Sequence, residues 1–193
     1  MISRVQGLLL SREGNRVEVE TSGGVVYEVL VPVTVLERLP DLGEMVELRT
    51  VEVISESAVT LYGFLSAHER GLFQRLLTAT GVGSKLALAA MSTYSAERLA
   101  RALIDKDSAA LCQIPGVGKK TAERLAVELS DRVADLAFVS LADPTRPGAA
   151  QEAVQALISL GYSFGAADEA VRAAQKEAPE ADAAELIRRA LAG

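Results

Sequence analysis

Ile114-Pro115-Gly116-Val117-Gly118-Lys119-Lys120-Thr121-Ala122-Glu123-Arg124-Leu125 reads as a tight turn that opens a helix. Pro115 fixes φ and removes a donor just before the turn. Gly116 and Gly118 supply backbone conformations that a side chain resists, and they let another backbone come close. From Lys119 the pattern turns helical, with Leu125, Val127 and Leu129 expected as apolar positions and Glu123, Arg124 and Glu128 as polar ones. The first turn of a helix leaves backbone N–H groups unsatisfied and carries the positive end of the dipole. An anion fits there, and Lys119 and Lys120 add full charges beside it.

The same device occurs earlier, in Thr80-Gly81-Val82-Gly83-Ser84-Lys85-Leu86-Ala87. Gly81 to Gly116, Gly83 to Gly118 and Lys85 to Lys120 are each offset by 35. A fixed offset suggests two copies of one supersecondary unit. Helical patterns precede both turns, over Leu72–Thr78 and Ser108–Gln113, so each copy is helix, hairpin turn, helix. Neither turn follows a predicted strand or completes a G-x-G-x-x-G fingerprint, which argues against dinucleotide binding, and the spacing excludes a P-loop. A plain helix–helix turn uses glycine too. Two such turns, each with lysine at the helix start, favour phosphate binding.

The chain has 193 residues, 49% of them apolar but only 4% aromatic, with no Trp. The single cysteine, Cys112, rules out a disulfide framework and cysteine-based zinc sites. The single histidine, His68, leaves no histidine cluster for a metal. No run of 18 apolar residues and no signal-peptide pattern is visible, so a cytoplasmic location is expected. The net charge of −6 is unevenly spread. Residues 1–63 hold 5 basic and 10 acidic groups, residues 64–140 hold 10 and 8, and residues 141–193 hold 5 and 8. Only the segment with the glycine turns is positive, and phosphate affinity needs a local field rather than a positive total.

Residues 1–63 predict β structure, in the runs Ile2–Leu10, Arg16–Thr21, Val25–Val33, Glu44–Ile54 and Ala58–Gly63. Five short strands fit a small barrel of the oligonucleotide-binding (OB) type, with a helical turn over Thr34–Leu39. Its few rings, Tyr27 and Tyr62 with Phe64 at the edge, read as core rather than as a platform for single-stranded bases. Ser55-Glu56-Ser57 forms the tip between the last two strands, ordinarily just a solvated turn.

Residues 64–140 are expected to be helical. Ser66 with Glu69 three on is a capping box, Ser95 an N-cap for a helix to Ile104, and Asp107 or Ser108 a cap for the short helix carrying Cys112. Cys112 reads as a small core residue and His68 as exposed. A helix continues after Ser130 toward Val139. Residues 141–149, with Pro144, Pro147 and Gly148, read as a flexible linker. Residues 150–193 predict three helices, over Glu152–Leu160, Ala166–Lys176 and Ala183–Leu191, with Gly161 ending the first, Gly165 preceding the second and Pro179 preceding the third. The Leu160-Gly161-Tyr162 corner resembles the turn of ubiquitin-associated-type (UBA-like) three-helix domains.

Together these features resemble the RuvA family of Holliday-junction-binding subunits. The resemblance rests on Val5-Gln6-Gly7, Leu61-Tyr62-Gly63-Phe64, the two hairpins, Leu160-Gly161-Tyr162 and the order of the parts. It implies a non-catalytic protein of α+β multidomain architecture: an OB barrel, a tandem helix-hairpin-helix domain, a linker and a three-helix tail. Residues Gly81, Val82, Gly83, Ser84, Lys85, Gly116, Val117, Gly118, Lys119, Lys120 and Arg124 would grip duplex arms of a four-way junction by phosphates, without sequence preference and without cofactor or metal. A homotetramer or octamer would place acidic pins at the crossover. Here Glu56 fills one pin position and Ser57, uncharged, the other, while Ser84 stands where the family often has proline. The tail, around Leu160-Gly161-Tyr162, would engage a RuvB-type hexameric ATPase, and a RuvC-type resolvase would share the junction.

Three other readings remain open on the residues alone. Helix-hairpin-helix units also occur in glycosylases and nucleases, where an acidic patch can hold two metals. A structural adaptor would use barrel and tail to join proteins, and an RNA-binding barrel would need the aromatics that are missing here.

Overall fold

The structure is a computed structural model, and it describes residues 1–56, 58–134, 136, 149–162, 164–178 and 181–192. The chain divides into two compact units, Met1–Val133 and Ala134–Gly193.

The first unit begins with strands β1 (Arg4–Glu13), β2 (Arg16–Glu20), β3 (Val26–Leu30), β4 (Met45–Ile54) and β5 (Val59–Phe64). They close in the order β1-β2-β3-β5-β4, antiparallel except for the β3–β5 pair, giving the expected OB-type barrel. Alternation puts Val5, Leu9, Val17, Val19, Val29, Val46 and Leu48 inside. Strand β1 serves two neighbours, β4 through Arg4–Leu8 and β2 from Leu8 to Glu13, and its register shifts between Leu9 and Ser11. A bulge of this kind bends a strand around a barrel corner. Gly7, ahead of that bend, has no room for a side chain, because a Cβ there would overlap the Glu20 carbonyl. Gly63 answers to the core, since its Cβ would lie 2.7 Å from Val29 Cγ1 and 3.1 Å from Leu48 Cδ1. Strand β3 stops short of the expected Val33 because Pro32 cannot donate to a ladder and instead precedes the short helix α1 (Val33–Leu36).

Helices α2 (Ala67–Leu76), α3 (Ser84–Thr93), α4 (Ala96–Ile104), α5 (Ser108–Leu111) and α6 (Lys119–Leu129) complete the unit. The capping box at Ser66 is formed in both directions, and Ser95 and Asp107 cap α4 and α5. Phe73 on α2 packs against Tyr62 and Phe64 of β5, with ring centroids 4.9 and 5.0 Å apart. The barrel rings are therefore core, with Tyr27 half-buried against the barrel interior. Glu69 is buried and accepts from the backbone N–H groups of Leu65 and Ser66, both at 3.0 Å, while its other oxygen pairs with Arg38 after α1. Thr34 donates to the Met91 carbonyl at 2.8 Å, tying α1 to α3.

Four local expectations are corrected. Val127 is 69% exposed, because positions 125, 127 and 129 do not share a helix face; Ala122, Leu125, Ala126 and Leu129 form the buried stripe. Cys112 is exposed at the end of α5. His68 is half-buried rather than exposed. Helix α6 ends at Leu129 and residues 130–133 turn, while Val139 lies outside the described residues.

The second unit contains α7 (Ala149–Ser159), α8 (Phe164–Glu177) and α9 (Ala183–Ala192) around Ala153, Leu157, Ala167, Val171, Ala174 and Leu186. Helix α8 starts at Phe164, so Gly165 falls inside it rather than before it. Pro179 and residues 141–148 lie outside the described residues.

Replacing Gly7 by Ala should lower stability by about 3 kcal/mol, at the upper end of overpacking costs because the obstacle is backbone. Gly14→Ala, in open space at φ +61°, should cost about 1 kcal/mol through conformation alone. Urea midpoints of the two variants check the order.

Candidate nucleic-acid interface

The two hairpins are the same object built twice. In the first, the N–H of Val82 donates to the Ala79 carbonyl at 3.1 Å and Gly81 has φ +76°. In the second, Val117 donates to Ile114 at 3.0 Å and Gly116 has φ +87°. Positive φ at the third residue of a turn defines type II and calls for glycine there. Val82 and Val117 are buried, as are Ala87 and Ala122 one turn into each helix. The N-cap residues Gly83 and Gly118 adopt φ −89°, ψ 172° and φ −89°, ψ 170°. The first helical bonds match too, Ala87 to Gly83 at 3.0 Å and Ala122 to Gly118 at 2.9 Å.

Neither N-cap glycine is required by the protein itself. Their φ suits any residue, and an added Cβ at either meets nothing within 4 Å. Neither helix has a side-chain cap bond. The first-turn amides of α3 and α6 therefore face open space, with Lys85, Lys119 and Lys120 exposed around them. Such an end suits a phosphate oxygen approaching along the backbone.

The structure also brings the hairpins onto one another. A Cβ on Gly81 would stand 3.0 Å from the Arg124 guanidinium of α6, and one on Gly116 would stand 3.4 Å from Leu86 of α3. Each left-handed glycine thus faces the helix that follows the other turn. Arg124 belongs to the second repeat in sequence but to the first turn in space. Two further residues were missed by the sequence reading, Glu128 on α6 and Arg132 in the turn after it. Glu128 accepts from the Thr80 N–H at 2.8 Å, and Arg132 donates to Thr78 Oγ1 at 2.9 Å. The spacing of Arg124, Glu128 and Arg132, four residues apart each time, was the available signal.

At the barrel, Glu56 is exposed on the turn between β4 and β5, while Ser57 lies outside the described residues. Ser55 ties the turn to Ala58, accepting from its N–H at 3.1 Å and donating its hydroxyl to its carbonyl at 3.0 Å. Pairing of β4 with β1 ends at Arg49, and pairing of β5 with β3 covers only Leu61 and Tyr62. Thr50 still donates its N–H to the Ser3 carbonyl at 3.0 Å, and nearer the turn the two strands pair with each other through Val53–Thr60 and Ile54–Val59, so the tip is a two-stranded ribbon. Glu52 is not a bystander on it, because its carboxylate accepts from the Ile2 N–H at 2.9 Å.

In the second unit, Gly161 has φ +97°, with bonds from Tyr162 to the Leu157 carbonyl and from Gly161 to that of Ile158. This is a Schellman ending. It turns the chain so that Leu160 and Tyr162 are 64% and 48% exposed. Among the described residues, no group of three or more His, Cys, Asp or Glu comes together that could hold a metal ion. None of their helices is long and apolar enough to cross a membrane.

Comparison with known proteins agrees with this build. Residues 1–63 match the model of the RuvA N terminal domain, 73–131 that of the SAM-like helix-hairpin-helix tandem, and 148–193 that of the RuvA C-terminal domain. The Holliday junction branch migration complex subunit RuvA of Gemmatimonas aurantiaca is 44% identical over 192 residues, covering 99% of this chain and 97% of that protein. The chain belongs to the RuvA family. RuvA subunits of an Enterobacter species and of Pseudomonas syringae pv. syringae are each 45% identical, over 203 and 204 residues, covering 99% and 100% of this chain and 98% and 99% of theirs. The glycines on which the resemblance rested have structural reasons in a RuvA fold: Gly7 and Gly63 serve the barrel, Gly81 and Gly116 the turns, and Gly161 the corner of the tail.

Gly118→Asp should separate stability from binding. A carboxylate at the N-cap accepts from the bare amides of α6, raising stability by about 0.5–1 kcal/mol. The same carboxylate occupies the anion site, so duplex affinity should fall. Thermal melts and a duplex titration of one preparation check both signs.

Proposed function

We propose that this chain is the junction-binding subunit of a branch-migration complex, gripping four-way junction DNA by its phosphates. The carrying observation is the pair of matched hairpins, whose bare helix starts lie beside Lys85 and Lys119–Lys120 while Arg124 crosses to the first turn. The names of the relatives, each a subunit of a Holliday junction branch migration complex, support the substrate class. Contacts through backbone amides and lysines carry no base information, so binding is sequence-independent.

The division of labour we infer assigns 1–63 to the barrel and pin, 64–140 to the DNA grip, 141–149 to a linker and 150–193 to motor docking. Several subunits, as a homotetramer or octamer, would gather the Glu56 tips at the crossover, where a carboxylate repels approaching phosphates and disfavours re-annealing. Exposed Leu160 and Tyr162 suit the tail to a RuvB-type hexameric ATPase, which would supply the ATP-driven step. A RuvC-type resolvase would share the junction, and the setting is cytoplasmic.

The test is a gel-shift comparison of a four-way junction with linear duplex over a salt series. Wild type should prefer the junction, and Lys85→Ala with Lys120→Ala should flatten the salt slope by about 0.9 for each phosphate that is no longer neutralised. A double variant with the wild-type slope would leave the hairpins structural only. Removing residues 141–193 should leave junction binding intact and abolish stimulation of a RuvB-type motor, measured as branch migration of a labelled junction. Glu56→Gln should hold or raise junction affinity while slowing migration. Glu13→Gln, an exposed barrel carboxylate away from the ribbon, is its control.

A further inference from the structure

The two turns differ in their first two residues, Ala79-Thr80 against Ile114-Pro115, and only the second bears on the backbone conformation. The second residue of the second turn is Pro115, and its counterpart in the first turn, 35 residues earlier, is Thr80. Proline fixes φ near the value a type II turn requires there and has no N–H. Threonine does neither, and in the first turn the N–H that proline lacks is held by Glu128 of α6 at 2.8 Å. The flanking backbone is otherwise alike, since Ala79 donates to Leu76 at 3.1 Å and Ile114 donates to Leu111 at 3.2 Å.

We propose that Glu128 is a positioning residue for DNA binding, doing for the first hairpin what Pro115 does for the second. The bond locks the Ala79–Thr80 peptide and holds the first turn against α6, whose own N-terminus is the second anion site. One helix thereby sets the separation of the two phosphate sites, and Arg124 one turn earlier is laid across Gly81 by the same docking. Repulsion between the half-buried Glu128 carboxylate and DNA is outweighed because the carboxylate is committed to Thr80, with Arg124 one turn earlier on α6 and Arg132, in the turn after it, bonded to Thr78 of the same hairpin. The inference rests on the phosphate-binding reading of the hairpins.

The experiment compares wild type, Glu128→Ala, Glu128→Gln, Thr80→Pro and the Thr80→Pro/Glu128→Ala double variant. Each is titrated with linear duplex and a four-way junction across a salt series, with thermal melts and exchange of the Thr80 amide followed where it exists. Glu128→Ala should weaken binding about tenfold, the scale of losing one hydrogen bond to a charged group. Its slope should fall by about 0.9 per subunit. Glu128→Gln keeps an acceptor and should stay close to wild type. Thr80→Pro should bind normally, and in the double variant proline should restore affinity and slope without the carboxylate. A double variant as weak as Glu128→Ala, a Glu128→Ala protein that binds as well as wild type or better, or unchanged Thr80 amide exchange in Glu128→Ala would each overturn the proposal. If wild type itself fails to bind DNA, the functional reading falls, and the exchange of Thr80 still decides whether the carboxylate holds the turn.

Discussion

The geometry of the first unit turns on two helix ends that are left bare and, on the proposed phosphate-binding reading, must stay so while held at a fixed separation. Bareness comes from Gly83 and Gly118, whose conformations any residue could adopt and whose surroundings are empty. Separation comes from the reciprocal packing of each turn on the helix of the other. These requirements pull against each other. A helix end stabilised by its own side chain would be more stable and would no longer receive an anion, the usual conflict between local stability and function. The fold resolves it by capping elsewhere: Ser66, Ser95 and Asp107 cap α2, α4 and α5 with their own side chains, and glycine is kept for the N-caps of α3 and α6.

The barrel is fastened to this pair through a second constraint, the buried carboxylate of Glu69. It completes a helix cap, receives the backbone leaving β5 and pairs with Arg38 beyond α1. A buried charge is tolerable only when its lone pairs are used in this way. With Phe73 wedged against Tyr62 and Phe64, the exit from the barrel becomes a rigid joint. The direction in which the Glu56 ribbon leaves the barrel is thereby coupled to the direction of the hairpins.

Much of this was legible in the sequence because the signals were local. Alternating valines gave the strands, Ser66 with Glu69 gave a cap, and a repeated glycine pattern gave the hairpins. What escaped was set by tertiary partners. The capping box announced Glu69 but not its burial under Arg38, which arrives from 31 residues away. Val127 was misjudged because alternation was read where the helical period decides, and Cys112 because hydrophobic character does not say which face of a four-residue helix is covered. Glu128 was legible only as a polar position of the helix, and the turn packed beside it is what gives the carboxylate a partner.

The closed order of the barrel leaves its main ladder without edges, which removes the usual route by which sheets join one another. The exception is the short ribbon of Val53–Thr60 and Ile54–Val59, where, among the described residues, the strands pair only with each other. Two strands alone are marginal in water, so this is where the barrel opens at least cost. Backbone amides there should exchange with solvent sooner than those of Val17, Val29 or Leu48. On the proposed reading, a compliant tip on a stiff base would follow a crossover whose shape changes with every base pair that passes, while the anchoring points on the arms would stay put.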